Sequence, residues 1–424
     1  MEAIWLPVLV VVVFIYQFWA RCKNQPPCPF PLPMLGHIHL MKPPAHRTFH
    51  RISQKYGSVF RFRLGAHPAV VVCSSSAAEE CFTKHDIVLA NRPTFNSLAQ
   101  HLSYDNSLFS TVSYGERWRN LRRIGALEIY SGHRINLFQR DREDEVKRLL
   151  TNLFHLSRAD FARVELRSVF TDLTFNNIVR MVAGKRYYGE IDGDSMEEAR
   201  EFKKLMADLF TKGGVANMED FLPILRKVNR RAPQQEEAIE AGRRNFFDAD
   251  RSVTESARIR SRLLQRRHHQ RSNTGKVYPL SDSVLQRKEQ YHCTFCLQSI
   301  LLGGTDSSAV TLEWAMSNLV NYPRVLEKAR QELDARIGDG RLIGEADLPD
   351  LPFLQAIISE TLRLHPAAPL MLPHYSSESC TIGGFTIPRH TTVLFNVWAI
   401  HRDPAVWNDP ESFKPERFEG EGMV

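Results

Sequence analysis

The chain has 424 residues, 43% of them hydrophobic and 24% charged, a composition that excludes a disordered protein. Its net charge of +7 is too small to choose between nucleic acid, a membrane surface and an acidic partner, and a solvated surface beside a membrane anchor is the simplest interpretation. The seven cysteines are odd in number and scattered, so they predict no disulfide framework. Cys293 and Cys296 have C-x-x-C spacing, but no second pair of zinc ligands lies nearby.

An apolar run opens the chain. Residues 4–20 read IWLPVLVVVVFIYQFWA, in which Gln17 is the only clearly polar residue, and this length is at the short end for a membrane-spanning helix. Arg21 and Lys23 follow at once, so the positive-inside rule places the rest of the chain in the cytoplasm. A cleaved signal peptide would instead carry its basic residues before the apolar run. We therefore expect a single-pass membrane anchor helix over residues 1–24.

A proline-rich segment follows the predicted anchor. Residues 25–38 contain five prolines, which exclude a helix and favour stiff polyproline-like backbone. This pattern predicts a spacer that holds a soluble domain at a fixed attitude to the membrane, and an ordinary proline-rich linker is the alternative.

Helical spacing dominates from about residue 76 to residue 335 and returns over residues 347–363. Short strand-like runs flank the helical part, at residues 60–65, 69–73, 371–373, 380–382 and 392–395. The sequence therefore predicts a mainly α domain with a small β region over residues 39–424. A basic run between Arg251 and Arg271 has no aromatic interleaving and no nucleic-acid motif, so we interpret it as solvated surface and expect no nucleic-acid partner.

A Gly303-Gly304-Thr305-Asp306-Ser307 sequence interrupts a long apolar helical pattern. Adjacent glycines weaken a helix, and side-chain hydroxyls there bond to backbone carbonyls and bend it. Such a bulge opens space for a ligand or waters, beside which Asp306 and Ser307 could relay protons. A kinked core helix with a polar patch is the alternative interpretation.

Three further motifs place charged residues at fixed spacing. Glu360 and Arg363 share one face at the end of a helix, and Trp118 and Arg122 share a face of another. A proline-fixed turn, Phe413-Lys414-Pro415-Glu416-Arg417-Phe418, holds an arginine between aromatic residues. Taken singly, each motif is also compatible with a surface pair, an amphipathic helix or an ordinary turn.

In this order along one chain, the pieces resemble the cytochrome P-450 superfamily. The proline-rich spacer, W-x-x-x-R, the glycine–acid–hydroxyl helix, E-x-x-R and the P-E-R-F turn follow the family's order as far as Phe418. Residues 370–374 (LMLPH) and 399–404 (AIHRDP) look like the plant microsomal forms, and the strongest resemblance is to isoflavone and flavonoid hydroxylases and their lignan-modifying relatives. The resemblance implies the cytochrome P-450 fold.

The resemblance also implies a cofactor, haem b, and assigns roles to residues around it. Trp118, Arg122 and His374 match contacts to the haem propionates, and an arginine–carboxylate contact is charge-assisted. Asp306 and Ser307 match the catalytic acid–alcohol pair that delivers protons during oxygen activation.

Other matching positions support the pocket. Glu360, Arg363 and Arg417 match a buried ion network beside the haem. The residues expected to line the substrate side are apolar: Ala368, Leu370, Met371 and part of residues 95–108.

The implied reaction inserts one oxygen atom into a small apolar plant metabolite of flavonoid, isoflavonoid or lignan type. O₂ is the oxidant, and the electrons come from NADPH through a membrane-bound NADPH–cytochrome P-450 reductase. The implied location is the endoplasmic reticulum membrane, with the catalytic domain on the cytosolic face.

The sequence departs from the family after Phe418. The family places its haem-ligating loop, F-x-x-G-x-R-x-C-x-G, shortly after the P-E-R-F turn, but no cysteine occurs in residues 419–424, and Cys380 precedes the turn. Because the axial cysteine is absent, we expect the cytochrome P-450 fold to be C-terminally incomplete and this chain to be inactive as given. The alternative function is a truncated, non-catalytic membrane protein that cannot ligate haem. Ser307 also stands where the family usually has threonine, so we expect somewhat looser proton control.

Overall fold

A computed structural model describes the chain in eight ranges: residues 24–94, 106, 108–158, 163–183, 186, 221–222, 287–338 and 340–420. The predicted anchor, the basic run and most of residues 95–108 lie outside these ranges. Within them, no helix is both long and apolar enough to cross a membrane. The described residues form two compact units: a sheet unit (24–94, 221–222 and 368–410) and a helical unit made of the other described residues.

The described residues of the sheet unit contain six strands: β1 (Val59–Leu64), β2 (His67–Val72), β3 (His374–Tyr375), β4 (Cys380–Ile382), β5 (Phe385–Ile387) and β6 (Thr392–Phe395). They form a four-stranded sheet in the order β1-β2-β6-β3 and a separate two-stranded sheet of β4 and β5. Its helices are α1 (Ala45–Tyr56), α2 (Ser75–Thr83), α3 (Asp86–Leu89) and a later short helix at Val397–Ile400.

Aromatic and β-branched residues build the core of this unit. Phe60 and Phe62 of β1 are fully buried, and Phe49 of α1 meets Phe62 edge-on at 5.2 Å between ring centroids. β2 pairs antiparallel with β1 and parallel with β6, so both of its edges are hydrogen-bonded. Its consecutive valines are all buried, so both faces of the strand are covered as well. The strand expected at residues 371–373 lies instead at His374–Tyr375, since Pro373 has no N–H to donate to a ladder.

The helical unit has seven helices among its described residues. They are α4 (Glu116–Glu128), α5 (Gly132–Leu137), α6 (Gln139–Ser157), α7 (Leu166–Ala183), α8 (Arg287–Asn321), α9 (Pro323–Arg336) and α10 (Pro352–Leu364), and the short helix of the sheet unit is α11. Two 3₁₀ turns, at Glu345–Asp350 and Pro415–Phe418, complete this unit. The helix expected over residues 347–363 begins only at Pro352, because proline suits the first turn of a helix and not its interior.

Helix α8 is the longest element and packs against α7. A Cβ added at Gly304 would lie 2.9 Å from Cδ1 of Ile178 on α7, so a glycine permits this close approach. The hydroxyl of Thr174 on α7 donates to the carbonyl of Thr305 at 3.0 Å and joins the two helices. The mainly α architecture with a small β region agrees with the expectation from the sequence.

Candidate functional site

The most enclosed polar centre of the helical unit surrounds Glu360 near the end of α10. Arg363 donates from Nε to Oε2 of Glu360 at 2.6 Å and from Nη2 to Oε1 at 2.8 Å. Both side chains are almost completely buried, at 0% and 2% exposed. This two-point, charge-assisted contact fixes both side chains, as the E-x-x-R spacing on one helix face predicted.

The P-E-R-F turn closes over the same carboxylate. The backbone N–H of Lys414 donates to Oε1 of Glu360 at 2.9 Å, and Nε of Arg417 lies 3.3 Å from that oxygen. Arg363 also donates from Nη2 to the carbonyl of Ser412 at 3.2 Å. The structure therefore brings Glu360, Arg363 and Arg417 together, and one carboxylate balances two guanidinium groups.

Helix α9 holds the start of α10 in place. Both carboxylate oxygens of Glu332 accept backbone N–H groups of the first turn of α10, from Phe353 at 2.8 Å and from Leu354 at 3.0 Å. A carboxylate at a helix N-terminus satisfies unpaired donors and suits the helix dipole. Glu332 could not be predicted from the sequence, because this cap comes from another helix and leaves no local pattern at residue 352.

Trp118 and Arg122 lie together on α4. The guanidinium carbon of Arg122 is 5.5 Å from the centroid of the Trp118 ring, and the ring of Phe109 stacks on Trp118 at 6.4 Å. Trp118 is half-buried and Arg122 is exposed. Their i, i+4 spacing thus places an indole N–H and a guanidinium on one helix face, and both groups donate hydrogen bonds.

Asp306 and Ser307 lie in the middle of α8. Asp306 is half-buried, and the hydroxyl of Ser307 donates to the carbonyl of Gly303 at 2.6 Å, which is the back-bonding expected from the sequence. Their neighbour Thr305 is 2% exposed, and its hydroxyl has no hydrogen-bond partner among the described residues. No role was predicted for Thr305 from the sequence, although Thr305 is buried and Ser307 is exposed.

His374 lies in the sheet unit on β3. Its Nδ1 donates to the carbonyl of Leu89 at 2.8 Å, and its ring meets Phe82 and Phe395 edge-on at 5.5 and 5.3 Å. Burial lowers the pKa of His374 below its ordinary value, and the positive charge of Arg92 lowers the pKa further. The ring is therefore a neutral imidazole near pH 7, held in one orientation.

The residues expected to line the substrate side also belong to the sheet unit. Ala368 is exposed, whereas Leu370 and Met371 are partly buried and pack against two apolar clusters of this unit. The backbone N–H of Met371 donates to the carbonyl of Phe395 at 3.2 Å. Their contact with a substrate stays a prediction, and most of residues 95–108 lie outside the described ranges.

The cysteines of the described ranges do not fit a thiolate ligand. Cys28, Cys73, Cys81 and Cys380 are free thiols. Burial raises the pKa of Cys73 and of Cys81 to about 12 and raises that of Cys380, so the thiolate form is disfavoured at these three sites. No group of three or more His, Cys, Asp or Glu residues in the described part of the chain could hold a metal ion.

Each unit carries groups that can hydrogen-bond to a carboxylate, of which haem has two. The helical unit presents the indole of Trp118 and the guanidinium of Arg122, and the sheet unit presents the imidazole of His374.

Comparison with known proteins identifies the family. The cytochrome P-450 family model matches residues 26–423, so the chain belongs to the cytochrome P-450 family, whose cofactor is haem b. An isoflavone 2′-hydroxylase of Glycyrrhiza echinata is 44% identical over 98% of this chain and 82% of that protein. An isoflavone 3′-hydroxylase of Medicago truncatula is 46% identical over 95% of this chain and 80% of that protein. The resemblance to plant isoflavone hydroxylases is therefore confirmed.

The fold agrees with solved structures of the family. A zebra fish cytochrome P-450 with abiraterone matches with a TM-score of 0.64 at 23% identity, over 89% of this chain and 83% of that one. A second zebra fish structure, with progesterone, gives a TM-score of 0.63 at 22% identity. At this identity the likeness concerns the fold alone.

Proposed function

We propose that this protein is a haem-thiolate monooxygenase that hydroxylates a small apolar plant metabolite of flavonoid, isoflavonoid or lignan type. The observation that carries the proposal is the buried contact of Glu360 with Arg363, closed by Arg417 from the P-E-R-F turn. The substrate class is supported by the isoflavone hydroxylases, which are 44% and 46% identical to this chain over the aligned residues. O₂ and electrons from NADPH, delivered by a reductase, complete the reaction.

Trp118, Arg122 and His374 would hold the haem propionates by donating hydrogen bonds to them. Bound haem would supply the oxygen activation that hydroxylation needs. Glu360, Arg363 and Arg417 act at a distance from the substrate, because they hold α10 and the P-E-R-F turn in one arrangement.

Asp306 and Ser307 are proposed to carry protons along α8. Asp306 is half-buried and directly precedes Ser307 in α8. The Ser307 hydroxyl donates its hydrogen to the carbonyl of Gly303, so its oxygen can only accept a further hydrogen bond. Leu370 and Met371, with Ala368, would face the apolar substrate.

We further propose that residues 1–24 anchor the protein in the endoplasmic reticulum membrane, with residues 25–38 as spacer and residues 39–424 as the cytosolic domain. The described part of the spacer is hydrogen-bonded to β1 and does not run free, which fits a segment that holds the domain in a fixed attitude. The backbone N–H of Arg61 donates to the carbonyl of Pro27 at 2.8 Å, and that of His37 donates to the carbonyl of Arg63 at 2.8 Å.

The test is to read the transcript beyond codon 424, express its product with a plant reductase, and record the difference spectrum after reduction and carbon monoxide. We expect an in-frame cysteine loop, a thiolate-type Soret band, and gain of one oxygen atom by an isoflavone or flavone in the presence of NADPH. A product that binds haem without a thiolate-type band, or that oxidises no flavonoid, isoflavonoid or lignan, would contradict the proposal. A stop codon directly after codon 424, with no band, would support the non-catalytic alternative instead.

A further inference from the structure

The segment that carries His374 runs beside residues 88–92 within the sheet unit. The backbone N–H of Tyr375 donates to the carbonyl of Asn91 at 2.9 Å, and the side chain of His374 donates from Nδ1 to the carbonyl of Leu89 at 2.8 Å. Backbone and side chain of this short strand are thus held by the same neighbouring segment.

Arg92, in that neighbouring segment, braces the two residues that precede His374. Its Nη1 donates to the carbonyl of Leu372 at 3.0 Å and to the carbonyl of Pro373 at 2.9 Å. Pro373 has no backbone N–H, so its carbonyl is the only backbone group that can anchor it. The guanidinium therefore fixes the point at which the chain enters the His374 strand.

The contact with Leu89 fixes the protonation of the His374 ring. A carbonyl only accepts, so Nδ1 carries the hydrogen, and rotating the ring by half a turn would break this bond. Nε2 has no hydrogen-bond partner in the described part of the chain. In the neutral ring Nε2 is an acceptor, and a carboxylate is an acceptor too, so the two cannot bond until Nε2 gains a proton.

We propose that Arg92 is a positioning residue for His374: it holds the strand that carries the ring and keeps the ring uncharged until a carboxylate binds with uptake of one proton. The inference rests on the proposed function, in which that carboxylate is a haem propionate. The charged groups that act on the ring are Arg92, which opposes protonation, and Asp86, which favours it, and the flanking rings of Phe82 and Phe395 are uncharged.

The experiment titrates the full chain with haemin and with haemin dimethyl ester, which lacks free carboxylates. Calorimetry in two buffers of different ionisation enthalpy counts the protons that are taken up, and tryptophan quenching gives the affinity as a function of pH. We expect uptake approaching about one proton per haemin, and an affinity that falls up to about tenfold per pH unit above the pKa of the free ring. The dimethyl ester and the variant His374→Asn should show neither effect.

Two variants of Arg92 separate its charge from its hydrogen bonds. Arg92→Gln removes the cation, so the free ring protonates more easily and the fall in affinity should begin at a higher pH. Arg92→Lys keeps the cation, but its shorter side chain does not reach the two carbonyls that Nη1 contacts, so haemin affinity should drop while the fall begins at the wild-type pH. Arg389→Gln, the same change at an exposed arginine of the sheet unit, is the matched control and should behave as wild type.

The outcomes distinguish this inference from the proposed function. Equal binding of haemin and its ester, unaffected by His374→Asn, would overturn the role of His374 as a propionate contact, and the inference with it. Binding that depends on His374 but takes up no proton would overturn the inference alone. So would a pH profile that Arg92→Gln leaves unchanged. A chain that binds neither compound overturns both.

Discussion

Two buried polar centres of this protein satisfy their hydrogen bonds in opposite ways. In the helical unit, the carboxylate of Glu360 is completely buried and is balanced by Arg363 and Arg417. In the sheet unit, His37 is 2% exposed and is bonded to backbone alone: its Nε2 donates to the carbonyl of Pro29 at 2.9 Å, and its Nδ1 accepts the N–H of Arg63 at 2.7 Å. The first centre depends on opposite charges, and the second depends on the absence of charge.

The difference follows from what each centre joins. The proline-rich segment lacks N–H groups at its prolines, so it offers mainly carbonyls to the edge of β1. A neutral imidazole, with one donor and one acceptor, can bond to a carbonyl of that segment and to an N–H of the strand at once. The Glu360 centre joins a helix end to a turn, where a carboxylate can collect several donors. The loss of the Glu360 carboxylate should therefore cost more stability than the loss of the His37 ring, because it removes a negative charge that two guanidinium groups contact.

The largest effect is expected from Glu360→Gln. The substitution keeps the size of the side chain but removes the buried negative charge that Arg363 and Arg417 both contact, which should cost about 3–5 kcal/mol of the free energy of unfolding. Urea unfolding followed by circular dichroism measures it. Glu416→Gln, in the same turn but 53% exposed and 3.8 Å from Lys328, should cost only about 0–1 kcal/mol. Equal losses in the two variants would mean that the buried network adds nothing beyond a surface pair.

The next largest effect is expected from His37→Phe. The ring volume is nearly kept, but the carbonyl of Pro29 and the N–H of Arg63 lose their partner, which should cost about 1–3 kcal/mol. The variant should also make the proline-rich segment more sensitive to limited proteolysis. His39→Phe changes an exposed neighbour and serves as the control. Unchanged stability and unchanged cleavage in His37→Phe would show that the segment is held without this ring.

The Glu360 centre could be predicted from the sequence more easily than the His37 centre. E-x-x-R spacing places Glu360 and Arg363 on one helix face, and that pair is present as expected. Arg417 was assigned through the family resemblance, because its contact with Glu360 spans 57 residues and no local period encodes it. His37 carried no signal in the sequence, since a histidine in a proline-rich segment does not reveal which strand lies beside it. The hydrogen bond from Arg92 to the carbonyl of Leu372, across 280 residues, could not be predicted for the same reason.

The two centres should also differ in their response to pH. Burial lowers the pKa of His37 below 6.5, as do nearby His39, Arg61 and Arg63 to a smaller extent, whereas the Pro29 carbonyl raises it. Between the lowered pKa and 6.5 the unfolded chain binds more protons, so stability should rise with pH in this window and level off above it. His37→Phe should remove up to about 1.4 kcal/mol per pH unit from this rise. Unfolding measured from about pH 5 to about pH 8 tests it, and parallel curves for wild type and variant would refute it.

The smallest effect is expected at an exposed pair, where water takes the place of buried partners. Asp347 accepts Nη1 and Nη2 of Arg341 at 2.6 and 2.7 Å and the backbone N–H of Gly344 at 2.7 Å. The hydrogen bond from Arg341 and then that from Gly344 lower the pKa of Asp347 to about 2. Arg341→Gln should raise this pKa toward 3.8 without reaching it, because the Gly344 N–H still donates.

Carboxyl carbon shifts followed by NMR through the acid range measure this change, and Arg336→Gln, at another exposed arginine, is the control. Stability near neutral pH should fall together with the rise in pKa, because a carboxyl whose folded-state pKa is lowered contributes stability above its unfolded pKa. The fall should be small, since both partners of the Arg341–Asp347 pair remain hydrated when they separate. The loss of Glu360 beside buried arginines should instead cause a large loss of stability. If Arg341→Gln leaves the pKa of Asp347 at about 2, the Gly344 N–H alone accounts for the shift, and the pair contributes nothing even to titration.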